Sequence, residues 1–146
     1  MKKKKLYWSD YRKKITRVNQ LSEDWITPAE FLPYIYAVLG EIDLDPCSTH
    51  DANVEFIKAK KIYTVKEDGL NIEDPWTGKI YLFPPTYGRC SYSQQRGTWR
   101  WSIKAGAGAK SPSVIWFQRL LKEWKLRNVS EAIFFYNLSR NDKNLS

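Results

Sequence analysis

Histidine occurs once in the 146 residues, as His50, and cysteine twice, as Cys47 and Cys90. A structural zinc site draws on several thiolates or imidazoles, so this scarcity argues against one. His50 reads as a surface turn residue without a role. Two thiols lacking partners read as free cysteines of an intracellular, cytoplasmic protein. Long apolar runs are also missing. Nothing approaches the roughly 18–20 residues of a membrane span, and no secretory apolar stretch is present. The length suits one domain with a real core, and not two.

Charge is plentiful but unevenly placed. The net charge is +8 overall, with +7 on residues 1–19, −7 on 20–85, +8 on 86–127 and zero on 128–146. Residues 1–19 read as a basic arm in which Trp8 and Tyr11 stand among the cations, and 20–146 as the folded domain. The basic blocks suit a polyanion, most simply DNA. A lysine-rich terminus would serve equally as a solubilising tail.

The pattern of elements implies an α/β sandwich with a mostly parallel sheet. Thr27, Pro28 and Glu30 begin a helix and Gly40 ends it, with Pro33 expected to kink it. A short strand follows at "EIDLDP", with Ile42 and Leu44 on one face and acidic residues on the other. Residues 51–61 are weakly helical, 62–65 a short strand, and Asp68-Gly69 a turn. "KIYLF" reads as a strand buried on both faces. Residues 86–112 show no period and read as a Trp- and Gly-rich basic loop. Ser111-Pro112 then caps a helix with Val114, Phe117, Leu120, Leu121 and Trp124 on its apolar face. "AIFFY" (132–136) reads as a second buried strand. Asp45, Pro46 and the Pro84-Pro85 turn fall at strand carboxyl ends, where such sheets bind ligands.

The series "W-x-TP-x-x-F", "DLDPCS", "DGL", "PWTGKIYLFPP" and "SVIWFQRLLKEW…AIFFY" resembles the phage-type DNA N6-adenine methyltransferases, often called phage Dam-like, over about residues 25–138. The resemblance implies a Rossmann-like fold, S-adenosylmethionine as cofactor and DNA as substrate. Thr27 and Pro28 look like the segment lining the methionine end of the cofactor. Asp45 and Pro46 look like the strand end over which the cofactor lies. Asp68 is similar to the acidic residue that accepts from its adenine or ribose. Asp43, Asp45 and Asp68 would also serve as ordinary turn carboxylates capping backbone amides.

"FPPTYG" stands where that family carries its catalytic turn. Adenine N6 is a poor nucleophile, and methyl transfer needs acceptors for its hydrogens. The resemblance implies a carbonyl acceptor at Pro84, held outward by Pro85, with Tyr87 as the stacking ring. Phe83 departs from the pattern, because it offers no acceptor where the family has Asn or Asp. The expected cost is on the order of 3–4 kcal/mol, or more if Phe83 also fills the base pocket. The family's domains also continue with further strands, so this sheet should present an unpaired apolar edge or be covered by a second chain. Arg89, Arg96, Trp99, Arg100, Trp101 and Lys104, in the basic loop, are the expected DNA contacts. The implied function is a site-specific adenine-N6 methyltransferase with weak or absent catalysis. The alternatives are a non-catalytic nucleic-acid-binding remnant and a methyltransferase for another planar nitrogen.

Overall fold

The computed structural model describes residues 29–85, 88–102 and 108–136. The basic arm, Thr27, Pro28, Tyr87 and Lys104 lie outside the described residues. Four short strands form a parallel sheet: β1 (Leu44–Asp45), β2 (Lys61–Ile62), β3 (Gly78–Leu82) and β6 (Val129–Phe134), in the order β2-β1-β3-β6. The remaining pair, β4 (Arg89–Ser93) and β5 (Thr98–Ser102), forms a separate antiparallel hairpin. The helices are α1 (Leu32–Leu39), the short α2 (His50–Ala52) continued by a π turn (Asn53–Ile57), and α3 (Pro112–Lys125).

The central strand β3 explains the layering. Its side chains alternate across the sheet, and the run is apolar because both faces are covered. Ile80 and Leu82 pack with Leu44, Tyr63, Trp76, Ile115 and Trp116. Tyr81 and Phe83 pack in the other layer with Ile35, Leu39, Ile42 and Ile57. Ile42 and Leu44 therefore lie in different layers, contrary to the alternation expected of them. Strand β1 begins only at Leu44, so no strand period connects the two residues. Asp45 is also buried rather than on a polar face.

The prolines behave according to position. Pro33 lies in the first turn of α1 and does not kink it, since the α-helix begins only at Leu32, after a 3₁₀ turn (Ala29–Phe31). A first-turn residue needs no intrahelical N–H bond. Gly40, at φ +71°, ends α1 as expected. Pro112 likewise opens α3, though the Ser111 side chain makes no capping bond there.

Three other expectations change. The stretch 86–112 contains the β4–β5 hairpin rather than only a loop, with Cys90 paired to Trp101 and Tyr92 to Trp99. Helix α3 buries Ile115, Trp116, Leu120 and Glu123, while Phe117, Leu121 and Trp124 are exposed. A polar pair causes this rotation. The Arg119 and Glu123 side chains meet at 3.2 Å on the inner side, and Arg119 also donates to the carbonyls of Leu70, Ile72 and Asp74. Finally, β6 is the edge strand among the described residues, with Ala132 exposed and Ile133 and Phe134 half-buried.

The strand order reverses between β1 and β3. The chain leaves β1 toward β2, then crosses back to place β3 on the other side of β1. In open parallel sheets such a reversal opens a crevice beyond the carboxyl ends of the two strands, and ligands bind there. The parallel sheet with its helices is compatible with a Rossmann-like fold.

Candidate functional site

At the end of β1 the chain is tied to β2. Tyr63 N–H donates to the Asp45 carbonyl at 3.0 Å and Ser48 N–H to the Tyr63 carbonyl at 2.9 Å. The Asp45 carboxylate turns inward and accepts from Cys47 N–H at 3.2 Å. Burial pushes its carboxyl up to about 7, against the opposing pull of the Cys47 N–H and the Ser48 hydroxyl. Asp45 thus shapes the turn and is not brought into the crevice. Pro46 and Cys47, which that turn presents, are.

The second wall is the turn after β2. Asp68 adopts φ +56°, in the left-handed region, and its N–H donates to the Thr64 carbonyl at 3.0 Å. Gly69 follows because nothing larger fits. A Cβ there would come within 2.0 Å of the Pro46 carbonyl oxygen and 3.0 Å of Tyr63 Cβ. Trp76 Nε1 donates to the Gly69 carbonyl at 3.0 Å and fixes the turn from behind.

The third wall comes from β3 and the hairpin. Pro84 and Pro85 are fully buried, and Pro85 faces the crevice. Phe83 does not fill it. Its ring packs in the opposite layer, edge-on to Phe135 with centroids 5.1 Å apart. Gly88, at φ +82°, lies so close to the Trp101 indole that a Cβ would approach it to 2.5 Å.

Together these walls enclose a cleft of about 270 Å³. It brings together Pro46, Asp68, Pro85, Trp99, Arg100 and Trp101, which the sequence had marked on four separate stretches. Arg89 and Arg96 are exposed on the hairpin but do not line it. The volume is just under the roughly 300–1,000 Å³ of ordinary ligand pockets, which suits a nucleoside-sized group.

Both thiols line this cleft, and neither is bonded to the other. Burial, and then the neighbouring carboxylates, push the Cys47 thiol well up; burial and then Asp68 push Cys90 up to about 12. Both therefore stay protonated and act as apolar wall. Among the described residues no three or more His, Cys, Asp or Glu side chains converge to hold a metal.

Asp43 resolves as structural. Its carboxylate accepts from Lys79 N–H at 2.8 Å and faces Lys60 Nζ at 3.2 Å. The Lys79 N–H is the main cause that holds its carboxyl below the usual range. Gly78 leaves it room, since a Cβ there would lie 2.4 Å from Asp43 Oδ2.

Sequence reasoning missed Asn71 and Trp116, which also line the cleft. Trp116 was recoverable as an apolar helix position. Asn71 carried no signal, because its partner stands 28 residues further along the chain.

Chemically, the cleft offers indole walls, an acceptor at Asp68 and an exposed guanidinium from Arg100. This set suits a planar heteroaromatic ring bearing N–H or O–H donors. No protein-family model matches the chain, nor does any curated protein or solved structure. Among the described residues no helix is long and apolar enough to cross a membrane.

Proposed function

We propose that the chain is an S-adenosylmethionine-dependent DNA adenine-N6 methyltransferase domain of weakened catalysis, and that the cleft takes the adenosine half of the cofactor. One observation carries the reading: Pro46, Asp68 and Pro85 border one cleft where the strand order reverses. The motif resemblance and the crevice rule name the same place from independent grounds.

The residues fit the group. Asp68 accepts from a ribose hydroxyl or the adenine amine, and Trp99 and Trp101 give the ring apolar faces. When bound, the cofactor supplies an electrophilic methyl on a sulfonium. The chain's own task is then to place and polarise the adenine amine of DNA. The Pro84 carbonyl, held rigid by the two proline rings, would be the acceptor for an N6 hydrogen, although Pro84 is fully buried and does not itself line the cleft. Tyr87 supplies the stacking ring. Phe83 contributes no acceptor, and losing one such partner of developing charge lowers the rate roughly a hundred- to a thousandfold. The hairpin arginines hold the DNA backbone.

The position of Phe83 favours a second reading, a non-catalytic domain that binds cofactor or nucleic acid. A side chain built into the opposite core layer is not poised over a base. Transfer of a labelled methyl group to duplex DNA, with N6-methyladenine as the product, decides between them. Methylation at a slow rate supports the enzyme. Binding of cofactor or of nucleic acid with no transfer supports the second reading, no binding of cofactor overturns the enzyme, and binding of neither overturns both.

A further inference from the structure

Asn71 makes three hydrogen bonds with one amide group. Its Oδ1 accepts from Trp99 N–H at 2.7 Å, and its Nδ2 donates to the Trp99 carbonyl at 2.8 Å and to Asp68 Oδ2 at 2.7 Å. The backbone of Trp99 is thereby paired on both its polar groups by a side chain. The same side chain holds one oxygen of Asp68. No hydrogen bond to the other oxygen, Oδ1, is formed among the described residues, and Asp68 lines the cleft.

Only an amide meets these demands. The carbonyl end must accept and the nitrogen end must donate twice, which neither a carboxylate nor a hydroxyl can do. The turn aims the amide from below: Asn71 N–H donates to the Asp68 carbonyl at 3.1 Å, and Ile72 N–H to the same oxygen at 3.0 Å. Asp68, Asn71 and Trp99 thus form one hydrogen-bonded unit between two parts of the fold that also share a core cluster through Leu70, Cys90, Trp99 and Trp101. One part is the turn that presents the ligand-facing carboxylate. The other is the hairpin, whose Arg100 follows Trp99 directly and is exposed.

We propose that Asn71 is the positioning residue that couples the cleft's ligand to the hairpin. Resting on the function proposed above, it makes adenosine binding at Asp68 stiffen the hairpin that meets the nucleic acid. A ligand donor on Asp68 Oδ1 orders the carboxylate, which orders the Asn71 amide, which orders Trp99. Coupling of this kind is reciprocal, so nucleic acid on the hairpin strengthens ligand binding by the same factor.

Amide hydrogen exchange on the full chain tests the unit directly. Asn71→Ala should speed exchange at the Trp99 amide about tenfold, the loss of one hydrogen bond, while Ile80 and Leu82 in β3 stay unchanged. Asn71→Asp keeps the acceptor for Trp99 N–H, so that amide should stay protected, while its charge against Asp68 weakens ligand binding. With S-adenosylmethionine added, exchange across Thr98–Ser102 should slow at least about fivefold in the wild type, the low end of ordinary coupling, and not in Asn71→Ala. A Trp99 amide unaffected by Asn71→Ala overturns the unit. S-adenosylmethionine that binds without slowing the hairpin overturns the coupling and leaves the proposed function standing. S-adenosylmethionine that does not bind the wild type overturns both.

Discussion

Gly69 and Pro46 touch backbone to backbone: a Cβ on the glycine would lie 2.0 Å from the proline's carbonyl oxygen. That contact joins the turn bearing Asp68 to the end of β1. Gly69→Ala should cost about 1–3 kcal/mol, as overpacking does, because the obstacle is backbone and cannot swing aside. Denaturant unfolding measures it. A variant as stable as the wild type would show that the two segments are not held together.

Asp45 makes stability fall as the pH rises. Its carboxyl is raised by burial from 3.8 to about 7, so the folded chain holds a proton that the unfolded chain has released. The contribution is complete below the unfolded value and is lost through the folded one, by up to about 4 kcal/mol. Asp43 and Glu67 are shifted the other way and act at and below their ordinary values, outside this window. Unfolding midpoints should drop from about pH 4.5 to about pH 7, and Asp45→Asn should flatten that slope. A wild-type profile already flat would contradict the buried carboxyl.

Phe83→Asn tests two ideas together. The ring is 3% exposed in the layer of Ile35, Leu39 and Tyr81. Replacing it should cost about 3–5 kcal/mol, the range of large aromatic deletions. Restored methyl transfer in a chain that still folds would show that the turn had lost its acceptor. Wild-type stability in the variant would mean that Phe83 is not in the core.

The hairpin should bind duplex DNA in a strongly salt-dependent way. Arg89→Ala and Arg100→Ala should each lower the slope of log affinity against log salt by about 1 if each meets a phosphate. Filter or anisotropy binding over a salt series reads this. A flat response would remove the hairpin from nucleic-acid recognition.

Much of this architecture is legible in the residues themselves. The apolar run at β3, the Gly40 stop and the Asp68-Gly69 turn each follow from local chemistry. The hairpin was less legible because Cys90 and Ser91 blur the alternation on β4. The turn between the strands, Gln94 to Gly97, carries only its glycine as a marker. Thr98 to Ser102 does alternate polar and aromatic residues, and that was the available signal. The face of α3 was displaced because a half-buried Arg119 and a buried Glu123 sit on its inner side, which a hydrophobic count does not anticipate. Within the cleft, Pro46 and Pro85 were readable from strand ends, and Asp68 from its turn with Gly69 and from the motif resemblance. Asn71 was not, because its role depends on a tertiary partner. The inward turn of Asp45 was equally hidden, since a strand-end carboxylate reads alike whether it faces ligand or core.

The most direct test is a calorimetric titration of the wild type and of Asp68→Ala with S-adenosylmethionine. The account predicts saturable binding at one site in the wild type and a loss of at least about tenfold in affinity in the variant, as expected when a charged acceptor is removed. No binding to the wild type, or equal affinity in both proteins, would contradict it.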